Sequence, residues 1–271
     1  MSVDPEREGL GWQIGVWNRM SEVYLRQVDE RFVPVIEQVI NRAALQAGQQ
    51  VLDLGTGTGS VAIEAARRVT PGGSVVGTDV SPEMLSLAQK RAAGLGLDNV
   101  RFEEGRGEAI SAPDGAFDVV LASLSLMYMV DRGAAAREIG RALRPDGRFV
   151  AAVWAGPGQC DIVLFQQTAG RFAPPPPVSG VGPGAMADPS PFLQQLAEAG
   201  VDAHVETETL GFEFDDFATA WDVLAGVTTA QLPPERQAEA KAAVQAAMWP
   251  DASRPRHFRN VTQFIVGRRR P

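Results

Sequence analysis

The segment VLDLGTGTGSVA, residues 51–62, leaves few folds open to this chain. An apolar run carrying Asp53 passes through Gly55, Gly57 and Gly59 into residues spaced for a helix, which makes a strand, a tight turn and a helix N-terminus. Without side chains, these glycines let the backbone pass directly beneath a small molecule and adopt dihedrals closed to other residues. The helix start adds free N–H groups. A dinucleotide fingerprint reads G-x-G-x-x-G with a pyrophosphate on the helix end, whereas here the glycines run G-x-G-x-G, with Thr56 and Thr58 between them. Asp53 stands two residues before the first glycine, where a carboxylate suits an ammonium or sulfonium and is a poor neighbour for pyrophosphate. Both features argue against a nicotinamide-dependent dehydrogenase. After the helix, the run SVVGTD ends at Asp79, placed to accept hydrogen bonds from both hydroxyls of a ribose. Together these groups describe an adenosine with a cationic tail.

Around this turn, β-branched runs alternate with amphipathic stretches, the pattern of an α/β, Rossmann-like doubly wound sheet. Strands are expected at 51–54, 74–79, 100–104, 117–123 and 147–154, and helices at 59–69, 82–95 and 132–143. Ser81 and Pro82 supply an N-cap and a first helical residue for the second helix. The chain then reads as one domain, with an N-terminal helical cap over 1–48 and a cofactor-binding core over 49–155. Residues 156–191 hold eight prolines and six glycines, and the sequence predicts a lid there with no regular element. Residues 192–271 complete the sheet, with helices inserted over 215–248.

A formal charge of −8 makes nucleic acid a poor partner. The single cysteine, Cys160, excludes an internal disulfide and a cysteine-rich metal site, and fits a reducing, cytoplasmic setting. The first residues lack the basic and apolar regions of a leader, and no stretch approaches the apolar length of a membrane span. The expectation is a soluble chain with no membrane partner and no metal.

Residues 51–155 resemble the core of class I S-adenosylmethionine-dependent methyltransferases, closest to the UbiE-like group of ubiquinone and menaquinone biosynthesis. The resemblance runs in order through DLGTGTG, GTDVSPEML, EGRGEAISAPDGAFDVV, LASLSLMYMVD and LRPDGRF. It implies S-adenosyl-L-methionine as cofactor and a seven-stranded sheet of order 3-2-1-4-5-7-6 with the last strand antiparallel. It also implies that Gly55, Thr56, Gly57, Thr58 and Gly59 line the methionine end of the cofactor. Asp79 would hold the ribose, Val80 and Met84 would pack near the adenine, and Arg106 and Gly107 would stand at its edge. Relatives often carry an acid where this chain has Arg106, so the acceptor for the adenine amino group passes to Glu108 or to Glu104. Ser123 would face the methionine portion, and Trp12, Trp17 and Tyr24 lie in a stretch that closes over the ligand in relatives.

Methyl transfer from a sulfonium is an in-line displacement, so the protein mainly positions and desolvates its partners. A phenol or carbon acceptor must first lose a proton. No residue announces itself as that base; Tyr128, after strand four, is named before His204 or His257. The Met127–Tyr128–Met129 loop, the Pro/Gly stretch and the aromatic residues Phe165, Phe172, Phe192, Phe217, Trp221 and Trp249 suggest a small, largely apolar acceptor. A regulatory protein that binds the cofactor without catalysis is the alternative.

Overall fold

Seven strands form one sheet in the order β3-β2-β1-β4-β5-β7-β6 in a computed structural model that describes residues 5–271. The strands are β1 (Gln50–Leu54), β2 (Ser74–Asp79), β3 (Val100–Glu104), β4 (Phe117–Ser123), β5 (Leu143–Trp154), β6 (Val201–Phe214) and β7 (Arg256–Arg269). β1 to β5 are parallel, and β7 runs antiparallel between β5 and β6. The helices between the strands β1 to β5 are α3 (Ser60–Arg68), α4 (Pro82–Gly94) and α5 (Arg132–Ala142). Ahead of them lie α1 (Pro5–Val23), a π-helical turn (Tyr24–Val28) and α2 (Val33–Ala43). Behind them come α6 (Asp161–Gly170), α7 (Ser190–Glu198), α8 (Phe217–Leu224), the short α9 (Gly226–Thr229) and α10 (Pro234–Met248).

The central strands are apolar on both faces, as a sheet covered by helices on each side requires. Val51, Leu52 and Leu54 of β1 and Val119, Val120 and Leu121 of β4 are all buried. Ser81 caps α4 by accepting the Met84 N–H at 3.2 Å, and Pro82 follows where its missing N–H costs nothing. Asp131 caps α5 in the same way through the Ala134 N–H at 2.9 Å. The order of the sheet reverses between β1 and β4, and ligands of such sheets bind in the crevice outside the carboxyl ends of the strands at that point. Among the described residues, no helix is long and apolar enough to cross a membrane.

The stretch 156–191 departs from expectation. α6 occupies 161–170, with Ile162, Val163, Phe165 and Ala169 buried. The prolines and glycines cluster on either side of it, and a count over the whole stretch hides eleven consecutive residues, 159–169, free of breakers. The remainder is tied down: Gln263 Nε2 donates to the Met186 carbonyl at 3.0 Å, the Gly182 N–H donates to the Met127 carbonyl at 3.0 Å, and Met186 is buried.

Candidate functional site

The turn after β1 is held open by left-handed backbone. Gly55, Gly57 and Gly59 have φ of +67°, +54° and +84°, values that favour glycine over any residue with a Cβ. A Cβ on Gly57 would meet nothing within 4 Å and so would project into open space, whereas one on Gly59 would stand 3.0 Å from Ala88 and the Phe102 ring. One glycine therefore serves the floor of a cavity and the other serves the packing of α3.

Two carboxylates flank the turn. Asp79, at the end of β2, accepts the Gly57 N–H through Oδ2 and the Ser81 N–H through Oδ1, each at 2.9 Å. An ionised carboxylate offers about four acceptor positions, so about two remain for other donors. Burial pushes the Asp79 carboxyl above its ordinary pKa, opposed by the N–H groups of Ser81, Gly57 and Val80. Asp53 is 1% exposed and accepts the Thr56 hydroxyl at 2.6 Å. Its pKa is pushed up to about 7 by burial first, with the Asp79 charge adding to the rise. Both acids are primed to gain from a cation placed beside them.

Outside the carboxyl ends of β1 to β4, under α1, lies a cavity of about 820 Å³. Gly55 and Gly57 form part of it, with Asp79, Val80 and Met84 after β2 and with Arg106, Gly107 and Glu108 after β3. Ser123, Tyr24 and Tyr128 complete the set of sequence-expected residues that meet there. Glu108 borders the cavity while its Oε1 accepts the Val130 N–H at 2.9 Å. Glu104 does not line this cavity, and neither does Trp12, whereas Trp17 does.

Other expected contacts fall elsewhere. Asp53 and Thr56 line a smaller cavity of about 400 Å³ that shares Gly55, Gly57, Ser123 and Tyr24 with the first. Thr58 turns away from both, donating its hydroxyl to Asp29 Oδ2 at 2.5 Å. There Arg91 ties Asp29, the Thr58 carbonyl and Ser60 together at 2.9, 2.7 and 2.9 Å. Thr58 and Gly59 thus hold the approach to α3 and line neither cavity, Thr58 through Asp29 and Arg91 and Gly59 through its close packing on Ala88 and Phe102. Gln13 and Ser125 are lining residues that the sequence does not mark. Gln13 Nε2 donates to the Tyr128 carbonyl at 2.6 Å, and Ser125 Oγ donates to the Leu54 carbonyl at 2.7 Å.

A further cavity, of about 500 Å³ and mainly apolar, adjoins the first. Trp17, Tyr24, Leu124 and Tyr128 line both. Trp17 meets Tyr24 edge-on at 6.3 Å between ring centroids and Tyr128 at 4.9 Å, so the shared wall is a set of interlocked aromatic rings. Its other lining comes from Phe32 and Trp154, from Ile162 and Gln166 on α6, and from Val223, Leu224 and Val227 around α8 and α9. The aromatic residues expected to shape an acceptor site do not do so. Phe165, Phe217, Trp221 and Trp249 pack against one another and Phe258, and Phe192 packs on Phe149.

Tyr128 is close enough to both cavities to touch a ligand, but burial pushes its phenol well above the ordinary value. At neutral pH it is a hydrogen-bond donor and not a base. His204 pairs with Glu206 at 3.3 Å on exposed β6, and His257 stands beside Gly211 at the start of β7; neither lines a cavity described above.

Residues 45–166 match the family model described as "Methyltransferase domain". Nocamycin O-methyltransferase of Saccharothrix syringae is 39% identical over 134 residues, which is 49% of this chain and 48% of that protein. Demethylmenaquinone methyltransferase of Thermus thermophilus is 38% identical over 120 residues, 44% of this chain and 54% of that one. The chain thus spans about half the length of the curated relatives it matches. The crystal structure of YcgJ from Bacillus subtilis superposes with a TM-score of 0.66 at 22% identity, covering 87% of this chain and 98% of that one.

Proposed function

We propose, on the premise that residues 45–166 are a class I S-adenosylmethionine-dependent methyltransferase domain of the UbiE-like type, that the chain methylates a small, largely apolar molecule. The methyl group goes to an oxygen, nitrogen or carbon nucleophile of that molecule by in-line displacement. One observation carries the reading: a glycine-floored cavity bordered by Asp79, Arg106 and Glu108 and a second, apolar cavity share a single aromatic wall. The names of the two relatives, an O-methyltransferase and a demethylmenaquinone methyltransferase, support a small organic acceptor.

The residues present fit the cofactor. Asp79 keeps acceptor capacity for a ribose diol after its two backbone bonds are counted, and the open face of Gly57 admits a ligand against the main chain. Buried Asp53 supplies negative charge near the turn, where a ligand ammonium or sulfonium offsets its desolvation. When bound, S-adenosylmethionine supplies an activated methyl group on a good leaving group. The rings of Trp17, Tyr24 and Tyr128 line both cavities, where they exclude water and offer π faces to a cationic centre. Tyr128 orients an acceptor by donating its hydroxyl hydrogen bond. Binding without catalysis is the weaker reading, since it gives the second cavity no role. A cytoplasmic setting belongs to the proposal, as a single cysteine suits a reducing compartment.

Incubating the protein with isotopically labelled cofactor and a chemically diverse metabolite panel tests this by mass spectrometry. A labelled methyl group on an apolar panel member is the expected result. Tight S-adenosylhomocysteine binding with no methylated product across phenols, amines and activated carbons would favour the regulatory reading.

A further inference from the structure

Gln166 lies on α6, is 6% exposed and lines the apolar cavity. Its Nε2 donates to the Leu224 carbonyl at 2.7 Å. That carbonyl can only accept, so it fixes which end of the amide faces it and leaves Oε1 as the other end. Oε1 is buried and finds no hydrogen-bond partner among the described residues. A buried carbonyl oxygen without a donor is costly, and native structures rarely keep one unless a ligand or an ordered water meets it. The rest of the cavity offers mainly hydrocarbon and aromatic surface: Ile162, Val223, Leu224, Val227 and Phe32 among its walls.

We propose that Gln166 Oε1 is the polar anchor of the acceptor cavity, accepting a hydrogen bond from a hydroxyl or N–H group on an otherwise apolar ligand. The inference rests on the reading of this cavity as the acceptor site and narrows its substrate class. Gln166 does not line the cofactor cavity, so the group it holds is a handle, and the atom that receives the methyl group has to reach the wall of Trp17, Tyr24, Leu124 and Tyr128. The acceptor is therefore an apolar body carrying a hydrogen-bond donor as well as a nucleophile. An acceptor-only ligand, such as an ether or an ester with no N–H or O–H, leaves Oε1 unmet and binds less well.

Two matched pairs of probes test this by calorimetry on the full chain saturated with S-adenosylhomocysteine: 2-naphthol against 2-fluoronaphthalene, and phenol against fluorobenzene. Within each pair the body is kept and the donor removed. At least one hydroxylated probe should bind about ten-fold more tightly than its partner. Gln166→Met, which keeps the side-chain length without the carbonyl, should erase that preference, leaving the fluorinated probe within about two-fold and S-adenosylhomocysteine affinity unchanged. If Gln166→Met does not fold, Gln166→Leu and the preference of the parent protein carry the test. Equal binding of the partners by the parent, a preference that survives in the variant, or binding of S-adenosylhomocysteine with no binding of either pair would each overturn the anchor. Failure of the parent to bind S-adenosylhomocysteine would instead sink the methyltransferase reading, and the probe preference would still decide Gln166.

Discussion

Asp79 Oδ2 and the Gly57 N–H, 22 residues apart in sequence, are joined at 2.9 Å, so the acid that closes β2 also sets the backbone of the turn that follows β1. Replacing that acid acts on two strands at once.

Asp79→Ala should weaken S-adenosylhomocysteine binding about ten-fold to a hundred-fold, from the loss of about 1.5–3 kcal/mol of ribose hydrogen bonding. It should also lower folding stability by about 1–2 kcal/mol, because the Gly57 and Ser81 N–H groups lose their acceptor. Asp79→Asn, which keeps one carbonyl oxygen, should recover part of the stability and little of the affinity. Calorimetry and urea unfolding separate the two effects; an affinity equal to that of the parent would remove Asp79 from the ribose site.

Gly57 and Gly59 should part company on substitution. Gly57→Ala places a Cβ in the cavity floor at φ +54°, so ligand affinity should fall sharply, with about 1–2 kcal/mol of backbone strain. Gly59→Ala drives its Cβ against Ala88 and Phe102, and its main effect should be a lower melting temperature. The opposite ranking of the two variants in a thermal shift with and without ligand would reverse these assignments.

The Asp53 carboxyl should give the ligand-free protein a falling stability between mildly acidic and neutral pH. Its folded pKa of about 7 lies above the ordinary 3.8, so between those values the folded chain holds a proton that the unfolded chain has released. The stabilising proton is fully effective below the lower value and is lost as pH rises through about 7. Asp79 is shifted in the same direction. Asp53→Asn should flatten this dependence, gaining on the parent at high pH by an amount on the order of a few kcal/mol in urea unfolding. A ligand ammonium beside Asp53 reverses the preference, so S-adenosylhomocysteine affinity should rise with pH through about 7 in the parent and rise less in Asp53→Asn.

Tyr128→Phe should slow methylation of whichever acceptor the panel reveals by no more than about ten-fold, without moving the pH at which the rate changes. A phenol held protonated by burial orients and does not abstract. A loss of several thousand-fold, or a displaced pH profile, would restore Tyr128 as a base.

The glycine-floored cavity is legible in sequence because its signals are local. The glycine spacing, Asp53, Asp79 and the Arg106–Gly107–Glu108 run each sit at a strand end, and period-two strands followed by capped helices put such ends on one edge of a sheet. The lining of the apolar cavity is not local. Ile162, Gln166, Val223 and Leu224 sit on helices whose facing is decided only when α6, α8 and the π-helical turn pack together. Counting large aromatic residues selects the opposite set, since Phe165, Phe217 and Trp221 gain most by burying against one another. Thr58 shows the same limit within the motif itself, where one step along the turn separates the cavity residue Gly57 from a buried strut for Asp29.

Tyr24 borders three cavities from the first position of the π-helical turn Tyr24–Val28. A π turn carries one more residue than the α turn it replaces. Removing one of the residues after Tyr24 would return the turn to ordinary pitch, with the helical segments on either side still in register but the wide turn that carries the Tyr24 ring lost. The junction of the cavities therefore depends on a unit of chain length as well as on the rings that line it, and a one-codon deletion there would remove the ring's placement while keeping every ring.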